Sequence, residues 1–280
     1  MRKIILFLAL TVSSSVVSAY NKENHDSITR CAIALLNKYL GTVFITEAEA
    51  QKIIKGSVSE DGAFIKFFVR PWNMHFYSPY KPREFWQRGE SIDVRFERIA
   101  KRWFNRKNSN KYFYSIGEIV HHIQDCTNPA HVVPVYHDGC LKDRFDEQNV
   151  TAYLPSSISI DKSIGYNVPY LSSVLNRTAI KTLDSIHNKF EIRIETNGVT
   201  SPKWIDWSYF WQDNPSGWFG DYGFLGNNYL DEKIQKGEVT YLINKSTYEG
   251  YSSKQIEQAV IETANFIYFA KTQLQKTGMN

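Results

Sequence analysis

The stretch HHIQDCTNPAH, residues 121–131, contains three of the chain's seven histidines. His121 and Asp125 are four residues apart, so in a helix they lie one turn apart on the same face. The dipeptide Asn128-Pro129 then ends the helix and turns the chain, which brings His131 back towards the same region. Imidazole and carboxylate groups together are typical ligands of divalent metals such as zinc. The stretch therefore predicts a metal site at the end of a helix.

Three residues elsewhere in the chain extend this candidate set. His25 opens the first helical pattern and leads its core-facing stripe, so its imidazole is expected to point inwards, where it needs a partner. Asp61 lies in an acidic loop, and His75 lies in the aromatic segment MHFYSP. His122 points about 100° away from His121 on the same helix, so we expect it to have a structural role or to donate to a metal ligand.

The first nineteen residues have the pattern of a secretory signal peptide. Arg2 and Lys3 precede a short apolar run, and small residues lead to a cleavage site after Ala19. The apolar run is too short to span a bilayer. The pattern predicts a secreted or periplasmic protein with Tyr20 as its first mature residue. A formal charge of +4 is too small to indicate a polyanionic partner by itself.

Helical periodicity recurs through residues 20–280 and strand alternation is scarce, which predicts an all-α fold. No linker or repeat divides this range, so we expect a single domain. The predicted helices are His25 to Leu40, Thr46 to Lys55, Ser91 to Phe104, Ser115 to Asp125 and Ser253 to Gln273. Capping boxes mark two of the starts, at Thr46 with Glu49 and at Ser115 with Glu118. Residues 201–230, which are rich in aromatic residues, glycine and asparagine, predict a loop region.

Several classes of site have no support in the sequence. The three cysteines, Cys31, Cys126 and Cys140, form no C-x-x-C motif, and their odd number predicts one disulfide of open pairing plus one thiol. The chain contains neither a Gly-x-Ser-x-Gly elbow nor a P-loop. A cysteine zinc site, a serine esterase and a nucleotide triphosphatase are therefore not indicated.

Taken in order, these motifs resemble those of the zinc-dependent phospholipase C and single-strand nuclease superfamily. The resemblance rests on His25-x-x-Ile-x-x-x-Ala, on Asp61 with His75 in HFY, and on His121-x-x-x-Asp125-x-x-x-Pro129-x-His131, and it covers residues 20–147. Members of this superfamily are exported all-α enzymes with three clustered zinc ions. The resemblance implies the same fold and up to three zinc ions here.

The resemblance also implies ligands for each ion. One zinc ion would take Asp61, His75, His121 and Asp125. A second would take the amine and carbonyl of Tyr20 together with His25 and Asp125, so that Asp125 bridges the pair. A third would begin with His131. The superfamily usually adds a His-x-x-aromatic-acid motif, but this chain has KDRFD, with Lys142 in place of the histidine and Asp146 as the acid. His137, Asp143 or Glu147 could complete that third site.

The function implied by the resemblance is phosphodiester hydrolysis, because clustered divalent ions activate water for attack on phosphorus. Asp61 would orient that water or accept its proton. The segments HFYSP and NPAHVVPVYH are more similar to the bacterial phospholipase branch. The leading expectation is therefore a monomeric phospholipase C that cleaves the glycerol–phosphate bond of phospholipids at a membrane surface.

Two alternatives stay open. The short spacing between Tyr20 and His25 is typical of the branch that cleaves single-stranded DNA or RNA, and aromatic residues would then stack on bases. The missing third-site histidine favours a catalytically weak exported zinc-binding protein. The aromatic residues that could meet either lipid or bases are Trp204, Trp207, Trp211, Trp218 and Phe219, and about half of these rings are instead expected to fill the core. The basic stretch of residues 95–111 could meet anionic lipid or nucleic acid, although a basic helix face is usually only solvated.

Overall fold

The structure is a computed structural model that describes residues 21–59, 76–77, 92–106, 110–135, 137, 142–163, 168–214 and 219–276. The α-helices in these ranges are α1 Lys22–Leu40, α2 Glu47–Ser57, α3 Ile92–Asn105, α4 Tyr112–Asp125, α5 Pro129–Val132, α6 Val168–Ile186 and α7 Lys245–Lys276. The strands are β1 Lys189–Thr196, β2 Val199–Asp206, β3 Trp211–Gln212, β4 Asp221–Tyr222, β5 Lys233–Lys236 and β6 Val239–Leu242. Short 3-10 turns lie at Val150–Tyr153 and Trp207–Tyr209.

The prediction of an all-α fold is wrong, because 55% of the described residues are helical and 15% lie in strands, which makes a mixed fold. Four strands form an antiparallel sheet in the order β2-β1-β6-β5, and β3 pairs with β4. The hairpin of β1 and β2 turns at Asn197 and Gly198, whose φ angles are 51° and 78°. Positive φ at both central turn residues matches the right-handed twist of the two strands, and this is why Asn-Gly favours such hairpins.

The predicted loop region of residues 201–230 instead contains most of β2, the short strands β3 and β4, and a core residue, Trp207. The Trp207 ring stacks on Phe190 of β1 at 4.3 Å and on Tyr251 of α7 at 4.2 Å between ring centroids. An indole sandwiched between two rings buries a large apolar area. Trp207 therefore joins the sheet to the helical core.

Helix α1 ends at Leu40 as the sequence predicts, but it begins at Lys22, three residues before the predicted start at His25. The Asn21 side chain caps the first turn, and Gly41 closes the helix in the left-handed conformation at φ 65°. Ile28, Ala32 and Leu36 are fully buried along one stripe. Helix α1 packs mainly against α7 and α2, and its first turn reaches the end of α4, where His25 meets Gln124.

Helices α2 and α4 touch along their backbones at two glycines. A Cβ added to Gly56 would lie 2.1 Å from the Tyr114 carbonyl oxygen, and one added to Gly117 would lie 2.0 Å from the Ile53 carbonyl oxygen. Any side chain at either position would force the two helices apart. The two glycines therefore set the closest approach of α2 to α4.

Three predicted helix starts are wrong: that of α1, given above, and those of α4 and α7. Helix α4 begins three residues before Ser115, at Tyr112, so Ser115 and Glu118 form no capping box. Both side chains instead meet Arg106, which donates to the Ser115 hydroxyl and lies 3.8 Å from Glu118. Helix α7 begins at Lys245, well before the predicted start at Ser253. Among the helices described, none combines the length and the apolar character needed to cross a membrane.

Candidate metal centre

The first candidate metal site, here the first triad, consists of His25 from α1 with His121 and Asp125 from α4. All three side chains are fully buried, and one ligand atom of each lies within 4.8 Å of the others. The Asp125 carboxylate lies 3.5 Å from His25 Nε2 through Oδ1 and 3.4 Å from His121 Nε2 through Oδ2. Two ligand atoms bonded to one tetrahedral zinc are about 3.4 Å apart, given bonds of roughly 2.1 Å. Each of these distances is that of two ligands of one ion, and the three residues could hold a metal ion.

The imidazoles of the first triad are held by hydrogen bonds on their other nitrogens. His121 Nδ1 lies 2.7 Å from the Ser57 carbonyl oxygen, and His25 Nδ1 lies 2.5 Å from Gln124 Oε1. Both acceptors are oxygens without a proton, so each Nδ1 must carry the hydrogen. The lone pair of each neutral imidazole is then on Nε2, which faces Asp125. This is the arrangement in which histidine binds a metal.

The second triad consists of His131 from α5 with His137 and Asp146 from the chain that follows. These three side chains are also buried, and one ligand atom of each lies within 4.8 Å of the others. Asp146 Oδ2 lies 3.8 Å from His131 Nε2 and 3.1 Å from His137 Nε2. His137 Nδ1 lies 2.8 Å from the Val135 carbonyl oxygen, so its Nε2 also faces the carboxylate. These two buried triads can each hold a metal ion.

Buried asparagines fix the segment that carries Asp146. Asn128 donates from Nδ2 to Asp146 Oδ1, and its Oδ1 caps α5 at the Ala130 N–H. Asn24, the neighbour of His25, donates to the carbonyl oxygens of Asp146 and Gln148 at 2.9 Å each. The start of α1 therefore holds both His25 of the first triad and the main chain of the second.

Asp143 supports the same segment from its other side. Its Oδ1 accepts the N–H of Phe145 at 2.8 Å, and its Oδ2 accepts the indole N–H of Trp211 at 3.1 Å. Burial and the nearby Asp146 charge raise the pKa of Asp143. Asp143 therefore holds the loop around Asp146 in place through these two hydrogen bonds.

The electrostatics of the two triads are those of buried carboxylates among imidazoles. Burial raises the pKa of Asp125, while His122 and His131 oppose that rise. Burial lowers the pKa of His137, but the hydrogen bond and charge of Asp146 outweigh it and raise the pKa to about 9. Without a metal, His137 therefore holds a proton at neutral pH, and that positive charge balances Asp146.

Aromatic rings cover the second triad. Phe76 lies 5.3 Å from the His131 ring, 5.6 Å from the His137 ring and 5.5 Å from Phe219 between centroids. A bridge between Val135 and Gly220 brings the segment of Phe219 to this side of the molecule. Apolar rings around a polar site exclude water and strengthen the charge interactions inside it.

The predicted ligands are placed as follows. His25, His121 and Asp125 meet in one cluster, and His131, His137 and Asp146 meet in the other. Tyr20, Asp61 and His75 lie outside the described residues, as do Cys140 and Trp218. Lys142 and Glu147 are exposed and pair with each other at 3.1 Å. His122 is buried beside the first triad, with Nδ1 3.5 Å from Asp125 Oδ2.

The residues that support the ligands were missed by sequence reasoning. Three buried amides hold the ligands: Gln124, Asn24 and Asn128. Gln124 and Asn24 are each next to a predicted ligand in the sequence, and Asn128 caps the helix of His131, so their positions in the sequence could have indicated them. No sequence pattern indicates the role of the Ser57 carbonyl, because it reaches His121 only through the contact of α2 with α4.

The chain matches no protein-family model and no curated protein sequence.

Proposed function

We propose that the chain is a zinc-dependent phosphodiester hydrolase that acts on phospholipids as a phospholipase C. The observation that carries the proposal is the pair of buried triads, each with two imidazoles and one carboxylate. Three protein ligands that leave a coordination position open are typical of catalytic zinc, whereas structural zinc is closed by four. Bound zinc ions would supply an activated water and neutralise charge on a phosphoryl group.

The charge of the two triads favours an anionic substrate. Asp125 and Asp146 are the only anionic members of the triads, and the histidines bind metal as neutral ligands. Two divalent ions would therefore exceed the carboxylate charge by about two units. A buried centre with excess positive charge binds a phosphodiester anion and stabilises the additional charge of its transition state.

The residues of this chain have separate roles under the proposal. Asp125 and Asp146 each face two imidazoles, so each carboxylate fixes the position at which an ion binds. The carbonyl oxygens of Ser57 and Val135 hold His121 and His137 in the tautomer that leaves Nε2 open. Phe76 keeps bulk water from the second triad.

A lipid substrate is supported by the exposed aromatic residues. Trp207 and Trp211 are buried and can meet neither lipid nor bases, whereas Trp204 is 63% exposed and Phe224 is 56% exposed. Exposed Trp and Phe side chains are typical of proteins that work at a bilayer surface. Under the proposal, the protein is exported and binds the membrane peripherally.

The test compares two substrates under identical conditions. We expect the protein to release phosphocholine from short-chain phosphatidylcholine, and we expect a chelator to abolish the release and added Zn²⁺ to restore it. Single-stranded DNA is the parallel substrate, and an Asp125→Asn variant is the control for contaminating activity. Cleavage of DNA alone would instead identify a nuclease. Absence of both activities in a zinc-loaded sample would contradict hydrolysis and leave a zinc-binding protein.

A further inference from the structure

Gln124 is fully buried beside Asp125, yet its side chain reaches a ligand on a different helix. Its Oε1 lies 2.5 Å from His25 Nδ1 on α1. Its Nε2 donates to Thr29 Oγ1 at 3.0 Å and to Thr263 Oγ1 at 3.1 Å. One amide therefore connects α1, α4 and α7 at the edge of the first triad.

Two threonine hydroxyls lie at the other end of the amide. In the structure, the amide nitrogen of Gln124 donates to Thr29 and Thr263, and its carbonyl oxygen faces the imidazole of His25. A carbonyl oxygen only accepts, so His25 must carry its proton on Nδ1 and its lone pair on Nε2. A reversed amide would place the proton on Nε2, 3.5 Å from Asp125 Oδ1, where it would block an ion.

We propose that Gln124 is a positioning residue for metal binding at the first triad, and that it acts by fixing the tautomer and the ring orientation of His25. The inference rests on the metal binding of the proposed function, but it does not depend on the substrate. Partners of this kind typically contribute about 10- to 100-fold to metal affinity. His121 and His137 take the same support from main-chain carbonyls, so Gln124 is the side chain that does this for the first triad.

The test measures zinc binding to the whole protein by competition with a chromophoric chelator. We expect Gln124→Met to lower the affinity for one zinc ion by about 10- to 100-fold. Gln124→Glu keeps an acceptor for His25 and is expected to retain both ions. In a His131→Ala background, which breaks the second triad, Gln124→Met should lower the affinity for the one remaining zinc ion by the same factor.

A matched control is Gln255→Met, which removes another buried glutamine that bonds Ser185 and Thr182 and touches neither triad. This variant is expected to bind zinc as the unmodified protein does. Unchanged zinc affinity in a folded Gln124→Met variant would overturn the inference and leave the proposed function intact. A protein that binds no zinc before any substitution would overturn both.

A second measurement needs no substitution. Long-range ¹H–¹⁵N spectra of the metal-free protein labelled with ¹⁵N-histidine report the tautomer of each imidazole. We expect His25 to appear as the Nδ1–H form. A resonance pattern for His25 with the proton on Nε2 would overturn the inference even if Gln124→Met failed to fold.

Discussion

At the scale of single residues, the Asp125 carboxylate lies close to three histidines of the candidate centre. Its carboxylate faces His25 and His121 at 3.5 and 3.4 Å and His122 at 3.5 Å. The i,i+4 spacing was enough to predict its contact with His121, because helix geometry alone places these two side chains together. The contact with His25 needed the packing of α1 against α4, which the core-facing stripe of α1 indicated without fixing the distance.

Asp125→Asn keeps the shape of the side chain and removes its charge. We expect the zinc affinity of the first triad to fall by more than about 100-fold. A residue that hydrogen-bonds to a ligand contributes roughly that much, and this substitution changes a ligand itself. Metal content after dialysis and chelator competition measure the effect. Asp184→Asn, a matched change at an exposed aspartate on α6, should bind zinc normally. Full zinc content in Asp125→Asn would contradict the assignment of the first triad.

Proton release on metal binding tests the second triad. The pKa of His137 is raised to about 9 in the metal-free protein, so at pH 7.5 the imidazole is protonated and must lose that proton to bind zinc. We therefore expect zinc affinity at this triad to rise by about tenfold per pH unit below that pKa and to level off above it. Calorimetry in buffers of different ionisation enthalpy counts the released protons. Zinc binding to this triad without proton release would contradict the prediction.

At the scale of secondary-structure elements, the contact of α2 with α4 determines whether His121 has its acceptor. Gly56 and Gly117 let the two backbones touch, and Ser57, the next residue of α2, places its carbonyl oxygen 2.7 Å from His121 Nδ1. Sequence reasoning predicted both helices but not this contact, because a glycine inside a helix does not reveal which backbone approaches it. The metal ligands of the candidate site are thus easier to predict from the sequence than the groups that hydrogen-bond to those ligands.

Gly117→Ala tests this helix contact. A methyl group at this position would lie 2.0 Å from the Ile53 carbonyl oxygen, so α2 must move away and the Ser57 carbonyl moves with it. We expect a loss of about 1–3 kcal/mol in the free energy of unfolding, together with weaker zinc binding at the first triad. Denaturant unfolding and chelator competition measure the two effects.

The control for this change is Gly250→Ala in α7. A Cβ at Gly250 meets no atom within 4 Å, so the substitution should stabilise the protein by up to about 1 kcal/mol and leave zinc binding unchanged. If Gly117→Ala behaved like Gly250→Ala, the glycine contact would have no part in holding His121.

The hairpin of β1 and β2 shows where sequence reasoning failed although a signal was present. Residues 189–196, Lys-Phe-Glu-Ile-Arg-Ile-Glu-Thr, alternate polar and apolar side chains, and Asn197-Gly198 follows directly. Asn-Gly after an alternating run is the strongest short-range pattern for a two-residue hairpin, and the prediction of an all-α fold left it out. The segment 201–230 contains both buried and exposed aromatic rings, and composition alone does not distinguish a ring that binds lipid from one that fills a core.

At the scale of the whole molecule, the two triads connect parts of the chain that are distant in sequence. The first triad joins α1 to α4, and the second joins α5 to the segment that carries Asp146. Asn24 adds a link between α1 and that segment. Ions in these positions would bind the folded protein and not the unfolded chain, so metal loading and folding are coupled.

Removal of zinc should therefore lower the thermal stability of the protein. At a free zinc concentration of about 100 times Kd, one site contributes roughly 2.7 kcal/mol. For a chain of this size, that corresponds to a decrease in Tm of about 5 °C or more. Scanning calorimetry before and after chelation, followed by zinc addition, measures the shift and its reversal. An unchanged Tm in protein shown to have lost its zinc would contradict this coupling.

The choice of acceptor for each histidine also affects how the centre tolerates mutation. Every amino acid at positions 57 and 135 offers the same carbonyl oxygen, so the residue identities there can drift while His121 and His137 keep their partners. His25 depends on the amide of Gln124, which most single substitutions would remove. In a saturation library, every variant at position 57 that still folds should therefore keep zinc binding at the first triad, whereas most folded variants at position 124 should lose affinity.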